Sequence, residues 1–227
     1  MKLPKTFVPD KNLENSLENL VKKKPQEEDI LKDLVISQRH GEELLYNTSL
    51  NRLKIEGYER HLRPDECFTL IARYLEGNLK EPLRSIAYNI VNVSLLDWLS
   101  IAFQRQGGIL HCYLDPEGLV WNGECYAPHP KVQYSQKKEF DIKGIPSLDW
   151  VGLDRFEDGF VRFFYGKSFE ELPEEFTDGI YKAQIVIPEE NVYYAMARGL
   201  GLHKYSMQPA ESANFRGVRK IKEGEIS

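Results

Sequence analysis

The chain has 227 residues, 41% hydrophobic and 29% charged, with 30 Lys and Arg against 35 Asp and Glu for a formal net charge of −5. That balance fits one large or two small globular domains with a real core, and excludes nucleic-acid binding through bulk positive charge. Three cysteines, an opening MKLPKTFVPDKNLE without an apolar stretch and no run of 18 apolar residues predict a soluble cytoplasmic protein with no disulfide framework and no membrane span.

Leu13, Leu17, Leu20 and Val21 recur at i, i+4, i+7 and i+8, which predicts a helix over Asn12–Lys24 closed by three lysines. Pro25, followed by Glu27, Glu28 and Asp29, opens a second helix expected to run to about Tyr46. Residues 1–60 thus read as an N-terminal helical hairpin. Its narrow apolar stripe docks on the rest of the chain or on a second copy, a homodimer contact. Residues 61–227 read as an α+β domain with its helices within 64–106. The first of these opens at Pro64 and stops near Gly77. The next, Ser85–Gln106, is apolar on every side, with Asp97 the single charge before Gln104. That pattern predicts a buried central helix.

From Ile109 the period shifts toward two. Asp115-Pro116-Glu117-Gly118 is a turn sequence, which predicts a hairpin of Ile109–Leu114 with Leu119–Trp121 and a positive φ at Gly118. Further strands are expected at Lys131–Tyr134, Phe140–Ile142, Phe160–Tyr165 and Ile180–Ile187, with a short helix from Ser168 to about Phe176. Residues 109–187 are therefore strand-rich, and 198–227 read as an irregular basic tail. The whole is expected to be α+β: the N-terminal helical hairpin and the buried central helix packed on a mostly antiparallel C-terminal sheet.

Four groups of residues invite chemistry. Cys112, Cys125 and His129, with His111, resemble a metal set, but no CxxC exists and consecutive strand residues His111 and Cys112 point to opposite faces. No metal or cofactor is predicted. Cys67 sits in a first helical turn with His61 and Arg63 upstream, yet it aligns with Leu70, Ile71 and Tyr74 on the core face beside Asp65 and Glu66. Asp97, on a helix, would join Ser85, Asn89, Asn92, Ser100 and Gln104 in a polar arc able to line a cleft.

The fourth group is the tail. Arg198, Lys204, Arg216, Arg219, Lys220 and Lys222 face only Glu211 across 198–222, with His203, Tyr205 and Phe215 between them. Cations interleaved with aromatics suit phosphate contact and base stacking. Residues 154–178 hold eight acids against Arg155, Arg162 and Lys167, and equal and opposite excesses in one chain favour a tail folded back on its own acidic stretch over anion binding. Phosphate-loop, nucleophile-elbow and zinc-protease motifs are absent. The expected function is a non-catalytic binding or interaction protein. Its anion-binding residues are Arg198, Lys204, Arg216, Arg219 and Lys220, and its partner is an anionic ligand or nucleic acid. The alternative is an enzyme with an acid–base site between central helix and sheet, where His111, Asp97, His129 and Arg198 converge.

Overall fold

A strand apolar on both faces organises this molecule. In the computed structural model, which describes residues 29–92, 96–121, 126–127, 133–177, 184–198, 204–207 and 211–225, the chain divides into two units, 1–32 and 33–227. The expected helix at Asn12–Lys24, and the dimer contact placed on it, lie outside the described residues.

Along the second unit run β1 (Leu34–Ile36), β2 (Leu44–Leu45), α1 (Tyr46–Ile55), β3 (Arg60–His61), α2 (Pro64–Leu75) and α3 (Leu83–Asn92). Next come β4 (Asp97–Gln106), β5 (Ile109–Leu114), β6 (Val120–Trp121), β7 (Tyr126–Ala127), β8 (Gln136–Asp141), β9 (Trp150–Gly152) and α4 (Asp158–Tyr165). Then follow α5 (Glu174–Thr177), β10 (Gln184–Val186), β11 (Tyr193–Arg198), β12 (Lys204–Met207), β13 (Ser212–Ala213) and β14 (Gly217–Lys220). The fold is α+β. Its main sheet has the order β12-β11-β4-β5-β8, antiparallel throughout. A smaller sheet, β1-β14-β3, and three two-stranded pairs complete it.

Both faces of the main sheet are covered. Trp98, Ala102, Tyr113, Tyr193, Ala195 and Ala197 meet Tyr46, Leu50 and Leu53 of α1 and Phe215 in one buried cluster. On the other face Phe103 stacks on Phe164 at 5.7 Å and Phe140 meets Phe160 edge-on at 4.8 Å, so α4 lies over the sheet. Phe68 of α2 packs on Tyr165 at 4.5 Å and extends that layer. Burying each such side chain is worth about 1.5–3 kcal/mol, and these two layers are the core.

The structure departs from the sequence reading in five places. Residues 85–106 are not one helix: α3 ends at Asn92 and β4 begins at Asp97. The first eight residues of β4 are buried. A strand covered on both sides has no reason to alternate, so its apolar run imitates a buried helix. The helix expected to reach Tyr46 is instead β1, an irregular segment and β2, with α1 starting where that helix should have stopped. There Val35 and Ile36 pair with Arg219 and Val218 of β14, and β-branched residues suit that pairing.

Asp115–Gly118 does not close a hairpin. β5 pairs with β4 and β8, while Val120 and Trp121 pair with Ala127 and Tyr126. Gly118 does take a positive φ, 154°, and Asp115 turns the chain away at φ 49°. Phe160–Tyr165 is helix α4, because Phe160, Val161, Phe164 and Tyr165 form a buried stripe of helical period that Gly166 ends at φ 71°. The tail, finally, is not irregular: β12, β13 and β14 fall within it. Gly217 fits β14 because Tyr58 and Leu53 leave no room for a Cβ.

Other expectations match. α2 opens with Pro64 in its first turn and closes before Gly77 at φ 74°. The Phe140 strand lies in β8, and the backbone N–H of Ser168 donates to Glu171 Oε2 at 3.0 Å ahead of a short 3-10 turn, Phe169–Glu171.

Candidate functional site

Asp97 opens β4, and the register places it directly opposite Arg198, the last residue of β11. Residues opposed in an antiparallel pair share a face. Their face is therefore the one with Leu99, Ile101 and Phe103, under α2 and α4. Phe215 and Arg216 bridge β13 and β14, and the segment between β1 and β2 brings in Arg39.

The three arginines gather at one carboxylate. Arg216 Nε is 3.5 Å from Asp97 Oδ2, and Arg39 Nε is 3.9 Å from Asp97 Oδ1. Arg39 Nη2 donates to Asn214 Oδ1 at 2.9 Å. Asn214 is held in turn by the backbone, where its N–H donates to Leu96 O and its carbonyl accepts from Trp98 N–H, each at 2.8 Å. Arg198 and Arg216 line a narrow crevice with Asp97, Leu62, Cys67, Ile90 and Leu99, too tight for a water-sized sphere. Relative exposure is 1% for Arg198, 2% for Arg216 and 6% for Asp97.

Charge buried this deeply costs several kcal/mol per ion unless it is paired and hydrogen-bonded. Arg216 falls short of that. Neither of its terminal nitrogens meets an acceptor, and Asp97 Oδ1 and Asn214 Nδ2 also lack a hydrogen-bond partner. Burial pulls the Arg216 guanidinium below its ordinary pKa, with Asp97 opposing and Arg39 adding to the pull. A guanidinium stays protonated even so. The site thus gathers fixed guanidiniums around one resident anion, with the donors of Arg216 poorly satisfied.

A second arginine pair is fully engaged. Arg60 grips Glu66 with two bonds of 2.8 and 2.6 Å. Arg63 Nε donates to both oxygens of Asp115 at 3.0 and 3.1 Å, and its Nη2 also bonds Asp115. Ser100 Oγ and Ser135 Oγ donate to the same carboxylate at 2.9 and 2.6 Å. Burial pushes the Asp115 carboxyl up, but Arg63, Ser135 and Arg60 outweigh it and hold it below the usual range. Next to this clasp Asp65 is pushed up to about 6 by burial and by the charge of Glu66.

The residues predicted from sequence separate accordingly. Arg198 and Arg216 come together. Arg219 does not join them: it pairs with Glu225 at 2.7 Å. Lys220 is exposed on β14, and Lys204 opens β12. Of the acidic stretch, Asp158 and Glu171 are taken by Arg162 of their own segment. The polar arc also dissolves. On a strand, Ser100 and Gln104 face away from Asp97.

His111 lies on that opposite face as well, bonded through Nδ1 to Glu139 at 3.0 Å, so it does not converge with Asp97 and Arg198. His129 and Cys125 lie outside the described residues, and Cys112 is buried. Cys67 is buried on the core face, as its spacing predicts. His61 bonds Ser49 Oγ at 2.8 Å and packs among Tyr46 and Phe215. Arg39 and Asn214 were missed. Both lie in irregular segments, where spacing carries no information about facing. Asp97 left a sequence signal as the lone charge in an apolar run, and Arg198 and Arg216 as part of the basic excess.

Comparison of the chain with family models, with curated proteins and with solved structures finds no match. The reading of this site therefore rests on its own geometry. Among the described residues, no helix is long and apolar enough to cross a membrane.

Proposed function

We propose that this is a binding protein whose Arg39–Arg198–Arg216 cluster takes up the phosphate or carboxylate group of a ligand, with Asp97 as the resident counter-ion that the ligand displaces. The supporting observation is Arg216: a guanidinium 2% exposed whose two terminal nitrogens have no acceptor. Buried donors of this kind gain from an oxyanion, whose lone pairs match the planar guanidinium fork. Uptake requires Asp97 to move aside and the crevice to open, so that the guanidiniums exchange one carboxylate for another oxyanion. Lys220 is exposed on β14, and the half-buried Arg219 beside it is paired with Glu225, so a longer anionic partner such as nucleic acid would meet Lys220 before it reached the cluster.

The test is a thermal melt of the full chain in inorganic phosphate, pyrophosphate or citrate, with ionic strength matched by chloride. A ligand at 100 times its Kd stabilises the folded state by about 2.7 kcal/mol, which a melt resolves easily. The expected result is a rise in Tm with at least one of the three anions, and loss of that rise in Arg216→Gln. Asp97→Asn should melt lower without phosphate yet gain more from it than wild type. No rise with any of the three at matched ionic strength overturns the proposal. An equal rise in Arg216→Gln overturns its location.

A further inference from the structure

The ribbon formed by β9 and β10 carries a second site, unrelated to the arginines. A hollow of about 210 Å³ opens there, walled by Asp149, Trp150, Gly152, Asp154, Arg155 and Gln184. Its shape follows from strand alternation. Gly152 pairs with Gln184 and Trp150 with Val186, so Trp150, Gly152 and Gln184 face one side while Val151 is buried on the other. Gly152 contributes no side chain on that side, where it lines the hollow together with Trp150 and Gln184. The chain then turns through a 3-10 turn, Leu153–Arg155, which places Asp154 and Arg155 beside it.

Two further features single out this corner. Trp150 is 47% exposed, an unusual state for a residue with so much apolar surface to hide. Leu148, two residues earlier, holds φ 60° and is itself 54% exposed. A bulky residue in the left-handed region costs of order 1–3 kcal/mol, and such strain concentrates at ligand sites. An exposed side chain recovers little of that by packing.

We propose that this hollow binds a neutral sugar ring. A pyranose has an apolar face of C–H groups, which stacks on an indole, and an edge of hydroxyls that both donate and accept. Two carboxylates accept from those hydroxyls, while the Arg155 guanidinium and the Gln184 amide donate to them. The volume suits one ring, since pockets for drug-sized molecules run to about 300–1,000 Å³. Two carboxylates against one guanidinium disfavour a phosphorylated or carboxylated ligand. The ligand class is therefore distinct from that of the arginine cluster.

Saturation-transfer NMR on the full chain with the methyl pyranosides of glucose, galactose and mannose reads this directly, because it detects weak binding. The expected result is transfer to the ring C–H protons of at least one of them. That transfer should be lost in Trp150→Ala, kept in Trp150→Phe, and unchanged in Arg216→Gln. Gly152→Leu should also abolish it, by filling the hollow. The Gly152 backbone, at φ −70° and ψ 157°, is open to any residue, so a folded variant is expected, and the exposed Trp150→Ala decides the matter if it is not. Absence of transfer from all three sugars, or transfer that survives Trp150→Ala, overturns the proposal. So does a site that takes tetramethylammonium and no sugar, since the carboxylates and indole would then be serving a cation.

Discussion

Two arginine clusters in one fold show how the same side chain serves opposite ends. Arg60 and Arg63 meet Glu66 and Asp115 in short, multiple bonds, with Ser100 and Ser135 filling the remaining acceptor positions on Asp115. Arg39 and Arg216 instead share Asp97 at 3.9 and 3.5 Å, beyond good hydrogen-bond length, and Arg216 has donors to spare. A balanced cluster locks the backbone, and here it holds Asp115 at φ 49° where the chain leaves β5. An unbalanced one leaves buried donors unpaired, as at Arg216, and it is there that we propose an anion binds. Local stability is given up at the second site, because each unsatisfied buried donor costs roughly 1–3 kcal/mol.

The largest effect is expected from breaking the balanced cluster. Asp115→Ala strips Arg63 of its carboxylate partner, while Arg60 keeps Glu66, and puts alanine at a positive φ. Arg63 and Asp115 are half-buried, so removing the acceptor costs about 1–3 kcal/mol. Strain at the positive φ adds to it, and urea unfolding should show a loss at the upper end of that range. A loss under about 1 kcal/mol would mean that the clasp behaves as a surface pair.

Arg216→Met sharpens the same contrast from the other side. Methionine fills the apolar part of the crevice without orphaned donors, so the change should be within about 1 kcal/mol of neutral, or stabilising, in phosphate-free buffer. Arg63→Met, by comparison, should cost several times more. If the two variants lose equal stability, the difference between the clusters is only apparent.

The smallest effect, and the finest test, is in pH. Burial pushes His61 down to about 3, from 6.5. The unfolded chain then binds the extra proton, and stability falls as pH drops from about 6.5 toward 3, by up to about 1.4 kcal/mol per pH unit. Asp65, raised to about 6, has the opposite sign: the folded state takes the proton first, so stability rises as pH drops from about 6 toward 4. The two offset each other between pH 6 and 4. Below about 4 Asp65 stops contributing, while His61 and the depressed Asp115 both destabilise. Urea midpoints should thus be nearly flat from pH 6 to 4 and fall steeply below. Asp65→Asn should stabilise the protein at pH 7, by at most about 3 kcal/mol, and expose the His61 slope between pH 6 and 4. A wild-type curve that slopes throughout that interval, and a variant curve identical to it, would remove Asp65 from the account.

How much of this was legible beforehand depended on whether a local rule or a distant neighbour decided it. α2 was readable because Pro64, the acids after it and Gly77 act within one turn. Residues 97–106 were not, since burial on both faces erases the alternation that marks a strand. The aromatic run Phe160–Tyr165 failed the other way. Its composition favours a strand, but a helical stripe facing Phe103 and Phe140 won. At the site, Asp97 stood out as a charge without local support, and Arg198 and Arg216 stood out within the basic excess. Nothing in the chain tied these three to one another or to Arg39.

The sequence by itself determined that this is an α+β protein, where α2 starts and stops, that Cys67 belongs to the core and that Asp97 had to find a partner. Those outcomes follow from side-chain chemistry and from interactions spanning a few residues. Only the tertiary structure decided the order β12-β11-β4-β5-β8, which brings Arg198 across from Asp97 although 101 positions separate them in the chain. It also decided which arginines would be satisfied and which left with free donors. Both depend on strand register, and register is set by packing the whole sheet between two layers rather than by any one segment.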